Sequence, residues 1–450
     1  MGLSLSPELD SPYLTDASGY RGSADRIILP HDEDELAEVL REAGDSQTPV
    51  TIAGAGTGLT GGRVPHAGWL ISMERFSRLQ INPGFAVCGA GVLLRDLQAA
   101  AAQTRQFYAP DPTENGASVG GPIATNASGS RSFLYGSTRR HVRAARVLLA
   151  SGESLSLRRG DKPPFELPSV PAPSTTKNTA GYFLRAGADY LDLFIGSEGT
   201  LGIVTEAELD LLPAPASLTA GVLFFRTEAA VLDAVDELRP ATGLRMIEYL
   251  DAASLDLLRA RFPEIPREAG GALLVEREGD DVDWLAGDFL EESWLATSAP
   301  DRERFRRFRH ALPEAVNDLV RRHGLTKMGS DFAVPIPRNR EMLAIYRRAL
   351  DQAFPGRYVV FGHIGDAHLH VNVLPENETE WQTAKDLMTQ FAREAVALGG
   401  TVSAEHGLGK RKRDLLRIQF SAEDIDKMKS VKRRLDPLGL LGRGTLFESL

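Results

Sequence analysis

Short apolar runs divided by glycine-rich turns fill the first half of the chain. Val50–Ala53, Trp69–Met73 and Phe85–Ala90 read as strands, and Val92–Ala102 has helical spacing with Leu93, Leu94, Leu97 and Ala101 on one face. Strands over Val142–Ala150 and Leu201–Leu212 complete this part. Between them lies Tyr108–Arg140, a region of low periodicity rich in Gly, Asn, Ser and Thr. A loop of that length inside a compact domain points to ligand binding.

Pro213-Ala214-Pro215-Ala216 marks a boundary, and the rhythm changes beyond it. Thr219–Phe225 is a strand, Glu228–Leu238 a helix, Met246–Leu250 a strand, and Ala272–Glu276 a strand with a helix beginning near Asp281. A second round runs through the strand Met328–Val334, a helix from about Arg338 to Ala353, the strands Tyr358–Gly362 and His368–Val373, and the long helix Thr379–Leu398. Two such rounds predict an α+β unit with an antiparallel sheet covered by helices. Further helices are expected near Leu408–Ile418 and up to Leu435.

Composition narrows the function class. A formal charge of −10 over 450 residues gives no global reason to bind nucleic acid. The basic stretches Lys410–Arg413 and Lys427–Arg434 read as a solvated helical face, or else as a docking face for an acidic partner or anionic substrate. Cys88 is the only cysteine, which excludes an intrachain disulfide and any cysteine-built cluster. Met1–Tyr13 lacks the basic and apolar regions of a signal peptide, and no apolar run approaches the ~20 residues of a membrane span. The cytoplasm is the expected compartment, with peripheral membrane attachment left open.

Two clusters carry candidate chemistry. Gly56-Thr57-Gly58-Leu59-Thr60-Gly61 satisfies the dinucleotide pattern G-x-G-x-x-G, yet Gly61-Gly62-Arg63-Val64-Pro65 interrupts the place where a nicotinamide-type helix would run. The turn itself suits either a phosphate or a tight structural bend. His363, His368 and His370 fall within eight residues, and Glu405-His406 follows Gly399-Gly400. Imidazole and carboxylate donors suit Zn²⁺, Mn²⁺ or Fe²⁺, while packed or hydrogen-bonded histidines are the plainer alternative.

Seven segments give these clusters a context: GAGTGLTGG (Gly54–Gly62), PDPTENGASVGGPIATNASG (Pro110–Gly129), YGSTR (Tyr135–Arg139), KNTAGY (Lys177–Tyr182), LFIGSEGTLGIVTEAELDLLP (Leu193–Pro213), GHIGDAHLHVNVLPEN (Gly362–Asn377) and SAEHGLGKRK (Ser403–Lys412). In this order they resemble the FAD-linked oxidases and dehydrogenases of 2-hydroxy acids, with the vanillyl-alcohol-oxidase or PCMH type of flavin fold. The resemblance implies an FAD-binding domain over residues 1–215, an α+β substrate cap with an antiparallel sheet over 216–405, and helices over 406–450 returning to the first domain.

It also implies residue roles. Gly54, Gly56, Thr57, Gly58, Leu59, Thr60, Gly61 and Gly62, with Gly120 and Gly121, would line the FAD pyrophosphate and ribityl chain. Pro110, Asp111, Thr113, Thr125, Asn126, Ser128 and Gly129 fall in the segments that wrap the flavin, together with Glu198, Gly202, Ile203 and Val204. His66 lies in a turn unlike a flavinylation site, so FAD is expected to be non-covalent. Metal ligands map to His363, His370 and Glu405, with Zn²⁺ first in expectation, and the catalytic base maps to His406.

Arg309 matches the arginine that grips the substrate carboxylate, and Lys327 lies near where relatives with a second substrate carboxylate place a lysine. His368 departs from the usual asparagine and is read as a substrate or flavin contact or an additional ligand; Asp366 is read as orienting a metal-bound imidazole. Near the end, Arg443 stands where the usual asparagine and lysine are absent.

The implied reaction is oxidation of D-lactate, glycolate or D-2-hydroxyglutarate to the 2-oxo acid, a short monocarboxylate being preferred. Quinone, cytochrome, electron-transfer flavoprotein and oxygen are all open as acceptors, as is oligomeric state. A metal-dependent hydrolase and a non-catalytic flavin-binding electron-transfer subunit are the alternatives.

Overall fold

The structure, a computed structural model, describes residues 3–5, 11–285 and 287–448. Part of the segment weighed above as a leader, namely residues 1–2 and 6–10, lies outside that description. Among the described residues no helix is long and apolar enough to cross a membrane.

The N-terminal half holds two sheets. In the first, Arg26–Leu29 and Val50–Ala53 run parallel to Trp69–Ser72, and Leu3–Leu5 joins antiparallel at one edge. The helix Glu33–Asp45 covers it, started by Asp32, whose side chain accepts from the amide of Glu35 at 2.9 Å. Its buried Leu36, Val39, Leu40 and Ala43 pack with Ile28, Val50 and Ile71. Each fully buried leucine contributes about 1.5–3 kcal/mol there. The second sheet is antiparallel, in the order Leu79–Asn82, Phe85–Gly89, Ile203–Asp210, Val142–Leu148 and Ser154–Arg158.

The C-terminal half carries a seven-stranded antiparallel sheet, so the chain is α+β. Its order is Trp294–Ala296, Leu218–Phe225, Gly271–Glu278, Leu244–Asp251, Tyr358–His363, His368–Val373 and Met328–Gly329. The helix Glu228–Leu238 lies where its spacing and its Thr227 cap predict.

Three expectations differ. Among the described residues no helix begins near Asp281; residues 281–285 and 287–290 form no helix or strand, and the helix comes later, over Ala299–Arg322. Ser298 caps that helix by accepting from the Asp301 amide, with proline in its first turn, so the start signal was present and overlooked. Met328–Val334 contributes only Met328–Gly329 as a strand; the rest runs beside His368 and Thr401, which Ala333 bridges. Leu408–Ile418 is not one helix, because Gly407 and Gly409 adopt φ of +73° and +55°; a short turn over Arg413–Leu415 leads into Leu416–Gln419 instead.

The chain end is tied to the first sheet. Val50 donates to Leu440 O at 2.8 Å, and Gly442 donates to Val50 O at 2.8 Å. At the end of the helix Ala422–Leu435, the ammonium of Lys432 pairs with Asp436 and donates to Thr200 O and Leu441 O, while Asp436 accepts from the amides of Leu440 and Leu441. Removing one partner of such a buried pair leaves the other charged and dry. Asp436→Ala should therefore cost about 3–5 kcal/mol in denaturant unfolding; a loss below about 1 kcal/mol, the level of an exposed pair, would show that this tether is not structural.

Candidate active site

The middle strands of the seven-stranded sheet bring the chemistry together. Leu244–Asp251 supplies Glu248, Tyr358–His363 ends on His363, and His368–Val373 carries His368 and His370 on one face. His363 faces His368 across the ladder, and the tight turn between them needs Ala367 at φ +51°. Glu405 and His406 arrive from the turn at Gly399-Gly400. A Cβ on Gly400 would sit 2.3 Å from Ala333 O, so only glycine permits that approach. Asp331 then holds the arriving segment: its carboxylate accepts from Ser403 Oγ at 2.7 Å and from the His406 amide at 3.0 Å.

Glu405 Oε1 is the hub. It lies 3.0 Å from His363 Nε2, 3.4 Å from His370 Nε2 and 4.0 Å from His406 Nε2. Each of the first two rings has its other nitrogen committed. His363 Nδ1 donates to Glu248 Oε1 at 2.5 Å, and His370 Nδ1 donates to Ser330 O at 3.0 Å. That fixes the tautomers and turns both Nε2 atoms toward Glu405, the arrangement in which imidazoles bind a cation. The other oxygen of Glu405 accepts from Ser128 Oγ at 2.9 Å and Lys177 Nζ at 3.3 Å. One donor atom each from His363, His368, His370 and Glu405 lies within 4.8 Å of the rest. This donor set fits a divalent cation of the Zn²⁺, Mn²⁺ or Fe²⁺ kind.

The electrostatics follow from burial in a charged pocket. Burial opposes ionisation of Glu405, but His363 and Lys177 outweigh it and hold the carboxyl well below its ordinary value. Glu248 and Asp331 are likewise buried and likewise driven down, by Arg309 with His363 and by His406 with His368. Burial lowers His363, yet the carboxylates of Glu248 and Glu405 push it up to about 9. Burial takes His368 to about 3 and His406 to about 4, so both are neutral near pH 7.

The other expected residues divide. Arg309 joins the cluster through Glu248, donating from Nε to Oε2 at 2.9 Å, with Thr113 Oγ1 at 3.4 Å from Nη1. Asp111 pairs with Arg131 at 3.2 Å. Lys327 is exposed, and the protein around it together with nearby Lys412 lowers its ammonium to about 8. His368 is wholly buried, at 0% exposure, so it presents no surface to a substrate. Asp366 does not orient an imidazole: it accepts from Ser132 and Thr176, each at 2.9 Å, and Glu248 holds His363 instead.

Several residues carried over for the flavin have structural tasks. Thr125 Oγ1 donates to Gly121 O, Asn126 Oδ1 accepts from the Arg139 amide, and Gly129 O accepts from Ser132 Oγ. Glu198 accepts from the amides of Leu408 and Gly409 at 2.8 and 2.7 Å, and burial raises it to about 7. Gly202 packs against Val147 and Phe194, leading into the strand of Ile203 and Val204.

The glycine turn keeps free donors. The Ala55 amide donates to Ser118 Oγ and the Gly61 amide to Asp16 Oδ2, but among the described residues the amides of residues 56–60 find no protein acceptor. Leu59 is exposed, and a Cβ on Gly121 would meet nothing within 4 Å. Consecutive unpaired amides beside open space fit a pyrophosphate. The loop after His406 rests on this turn, since the amides of Lys410 and Arg411 donate to Thr60 O.

Sequence reasoning gave no role to Glu248 or Lys177 and missed Asp331 as the anchor of His406. One signal was available: Arg245, Glu248 and Asp251 interrupt an apolar strand that is buried at all eight positions. Charges in such a strand need partners and so mark a site.

Comparison with known proteins gives matches over both halves of the chain. Residues 24–158 match the family model "FAD binding domain" and residues 214–446 match "FAD linked oxidases, C-terminal domain". A D-2-hydroxyglutarate dehydrogenase of Xanthomonas citri pv. viticola is 32% identical, over 94% of this chain and 89% of the relative. A glycolate oxidase subunit of Bacillus subtilis is 30% identical, over 95% and 90%. A D-lactate dehydrogenase of Archaeoglobus fulgidus is 29% identical, over 94% and 91%. Among solved structures, an alkyldihydroxyacetonephosphate synthase superposes with a TM-score of 0.68 at 18% identity, covering 94% of this chain and 77% of that one, a likeness of fold.

If Glu248 sets the His363 tautomer, Glu248→Ala should weaken divalent-metal binding by roughly 10–100-fold, the usual cost of losing such a partner. Competition with a chelator of known affinity measures it. Unchanged affinity in a folded Glu248→Ala protein would separate Glu248 from the metal site.

Proposed function

The chain belongs to the FAD-linked oxidase family and is an FAD-dependent oxidoreductase; from that premise we propose that it oxidises a small D-2-hydroxy acid to the 2-oxo acid, with a divalent ion held by His363, His370 and Glu405. The observation that carries this reading is one continuous chain of contacts. Arg309, Glu248, His363, Glu405 and His370 follow one another at 2.9, 2.5, 3.0 and 3.4 Å, and His406 follows Glu405 in sequence. A carboxylate-binding group, a metal site and a base are thereby held in one frame.

FAD, when bound, would supply the acceptor for hydride from Cα, and a divalent ion held by His363, His370 and Glu405, with Zn²⁺ first in expectation and Mn²⁺ or Fe²⁺ next, would polarise the substrate hydroxyl. Arg309 grips the substrate carboxylate with the guanidinium edge that Glu248 leaves free. His406 takes the hydroxyl proton. It is neutral at pH 7, Asp331 Oδ1 lies 3.4 Å from its Nδ1, and Nε2 faces the Glu405 side. As the ring becomes imidazolium, the Asp331 carboxylate stabilises it. The amine of Lys327 has no ion pair among the described residues and is left for a second substrate carboxylate.

The amides of residues 56–60, with Gly54, Gly62, Gly120 and Gly121 around them, would hold the FAD pyrophosphate. Backbone groups do this without the entropy loss of ordering lysines. FAD is proposed to be dissociable, His66 being hydrogen-bonded to Tyr20 Oη at 2.6 Å and given no part in holding it. The domain limits 1–215, 216–405 and 406–450 belong to the same proposal. A hydrolytic use of the histidine cluster leaves the FAD-binding domain without a role.

The base assignment has a direct test. His406→Ala should keep FAD and metal but slow flavin reduction by roughly 10²–10⁴-fold, the contribution of a positioned base. Rapid-mixing kinetics and metal analysis on the same samples measure both. Near-normal reduction would remove His406 from the chemistry.

A further inference from the structure

We propose that His368 is a fourth protein ligand of the ion, so that the site is built from three histidines and one glutamate. The inference rests on the metal-assisted reading above and deepens it. His368 has 0% exposure, and neither of its ring nitrogens has a hydrogen-bond partner. Nε2 comes within 3.2 Å of Asp331 Oδ1, but not in hydrogen-bonding geometry. A buried imidazole whose Nδ1 has no partner and whose Nε2 has only the poorly aligned Asp331 carboxylate is costly, and an apolar side chain would pack there without that cost. Cation binding gives one nitrogen a partner. The nearby Asp331 carboxylate is the kind of group that usually takes the N–H of a ligating imidazole.

The arrangement of the rings supports the same conclusion. A donor atom of His368 belongs to the set within 4.8 Å that includes His363, His370 and Glu405. The ring centroids lie 5.2 Å apart for His363–His368, 5.5 Å for His363–His370 and 4.4 Å for His368–His370. Three rings that close can each turn a nitrogen to one centre at ~2 Å with small rotations. Burial also explains why this residue is not a substrate contact: it lies on the protein side of the centre.

A fourth protein ligand changes the expected ion. Four donors fill a tetrahedral Zn²⁺ shell and leave no place for substrate, whereas an octahedral ion keeps two positions. Those two positions suit the hydroxyl and one carboxylate oxygen of a 2-hydroxy acid. The site should therefore work with an ion that accepts six ligands, such as Mn²⁺, Fe²⁺ or Co²⁺, in preference to Zn²⁺.

The test uses the FAD-loaded, full-length protein reconstituted with Co²⁺. X-ray absorption should count three imidazoles in the wild type and two in His368→Asn and His368→Leu. Adding a 2-hydroxy acid should weaken the visible Co²⁺ bands of the wild type, as six-coordination requires. Chelator competition should show Co²⁺ affinity falling at least about tenfold in both variants, the lower end of what even an outer partner contributes. The wild-type count needs no variant, so a misfolded substitution leaves the test intact. Two imidazoles in the wild type would overturn the ligand assignment and leave the three-ligand site standing. A wild type that binds no divalent ion, yet reduces its FAD with a hydroxy acid, would overturn the metal-assisted reading and His368 with it.

Discussion

Glu248 divides its two carboxylate oxygens between His363 Nδ1 and Arg309 Nε, at 2.5 and 2.9 Å, and the rest of the site depends on that division. A carboxylate buried this deeply needs partners that repay its lost hydration. Here the partners are a ring of the metal site and the guanidinium proposed to hold the substrate carboxylate. Neither can rotate without leaving charge unpaired in a dry interior, so the spacing between the proposed metal and carboxylate subsites is set by one side chain on a central strand. Asp331 does the equivalent work on the other side, tying His406 and the segment before it to the same sheet.

The flavin half uses a different kind of electrostatics. Around residues 56–60 the positive end is made of backbone amides, which carry no rotamer freedom to lose and no full charge to bury. The two halves meet in the loop after His406. Glu198 accepts from the amides of Leu408 and Gly409, and Thr60 O accepts from those of Lys410 and Arg411. The loop that carries His406, the proposed base, therefore also braces the glycine turn proposed to hold the FAD pyrophosphate, through a few short hydrogen bonds.

Local features were legible in the sequence where local physics decides. Val50–Ala53 and Glu228–Leu238 follow their periods and caps. The glycine turn was separable from a nicotinamide motif because Gly62, Arg63 and Pro65 deny it a helix. The metal-ligand roles proposed for His363, His370 and Glu405 and the base role proposed for His406 came from a family resemblance, because composition and spacing alone favoured packed or hydrogen-bonded histidines. Pairing across distance was illegible. Glu248 lies 61 residues from Arg309 and 115 from His363, and no local pattern announces such partners. The helix expected near Asp281 is absent among the described residues, and the one at Ala299–Arg322 was missed although the Ser298 cap and the proline after it mark its start.

Anaerobic mixing of the FAD-loaded protein with a panel of D-lactate, L-lactate, glycolate, D-2-hydroxyglutarate and glycerol phosphates tests the central claim most directly. The site described here should let at least one D-2-hydroxy acid or glycolate bleach the flavin absorbance. L-lactate and the glycerol phosphates should leave it oxidised. A flavin left oxidised by every hydroxy acid, or reduced by glycerol phosphate alone, would contradict the account.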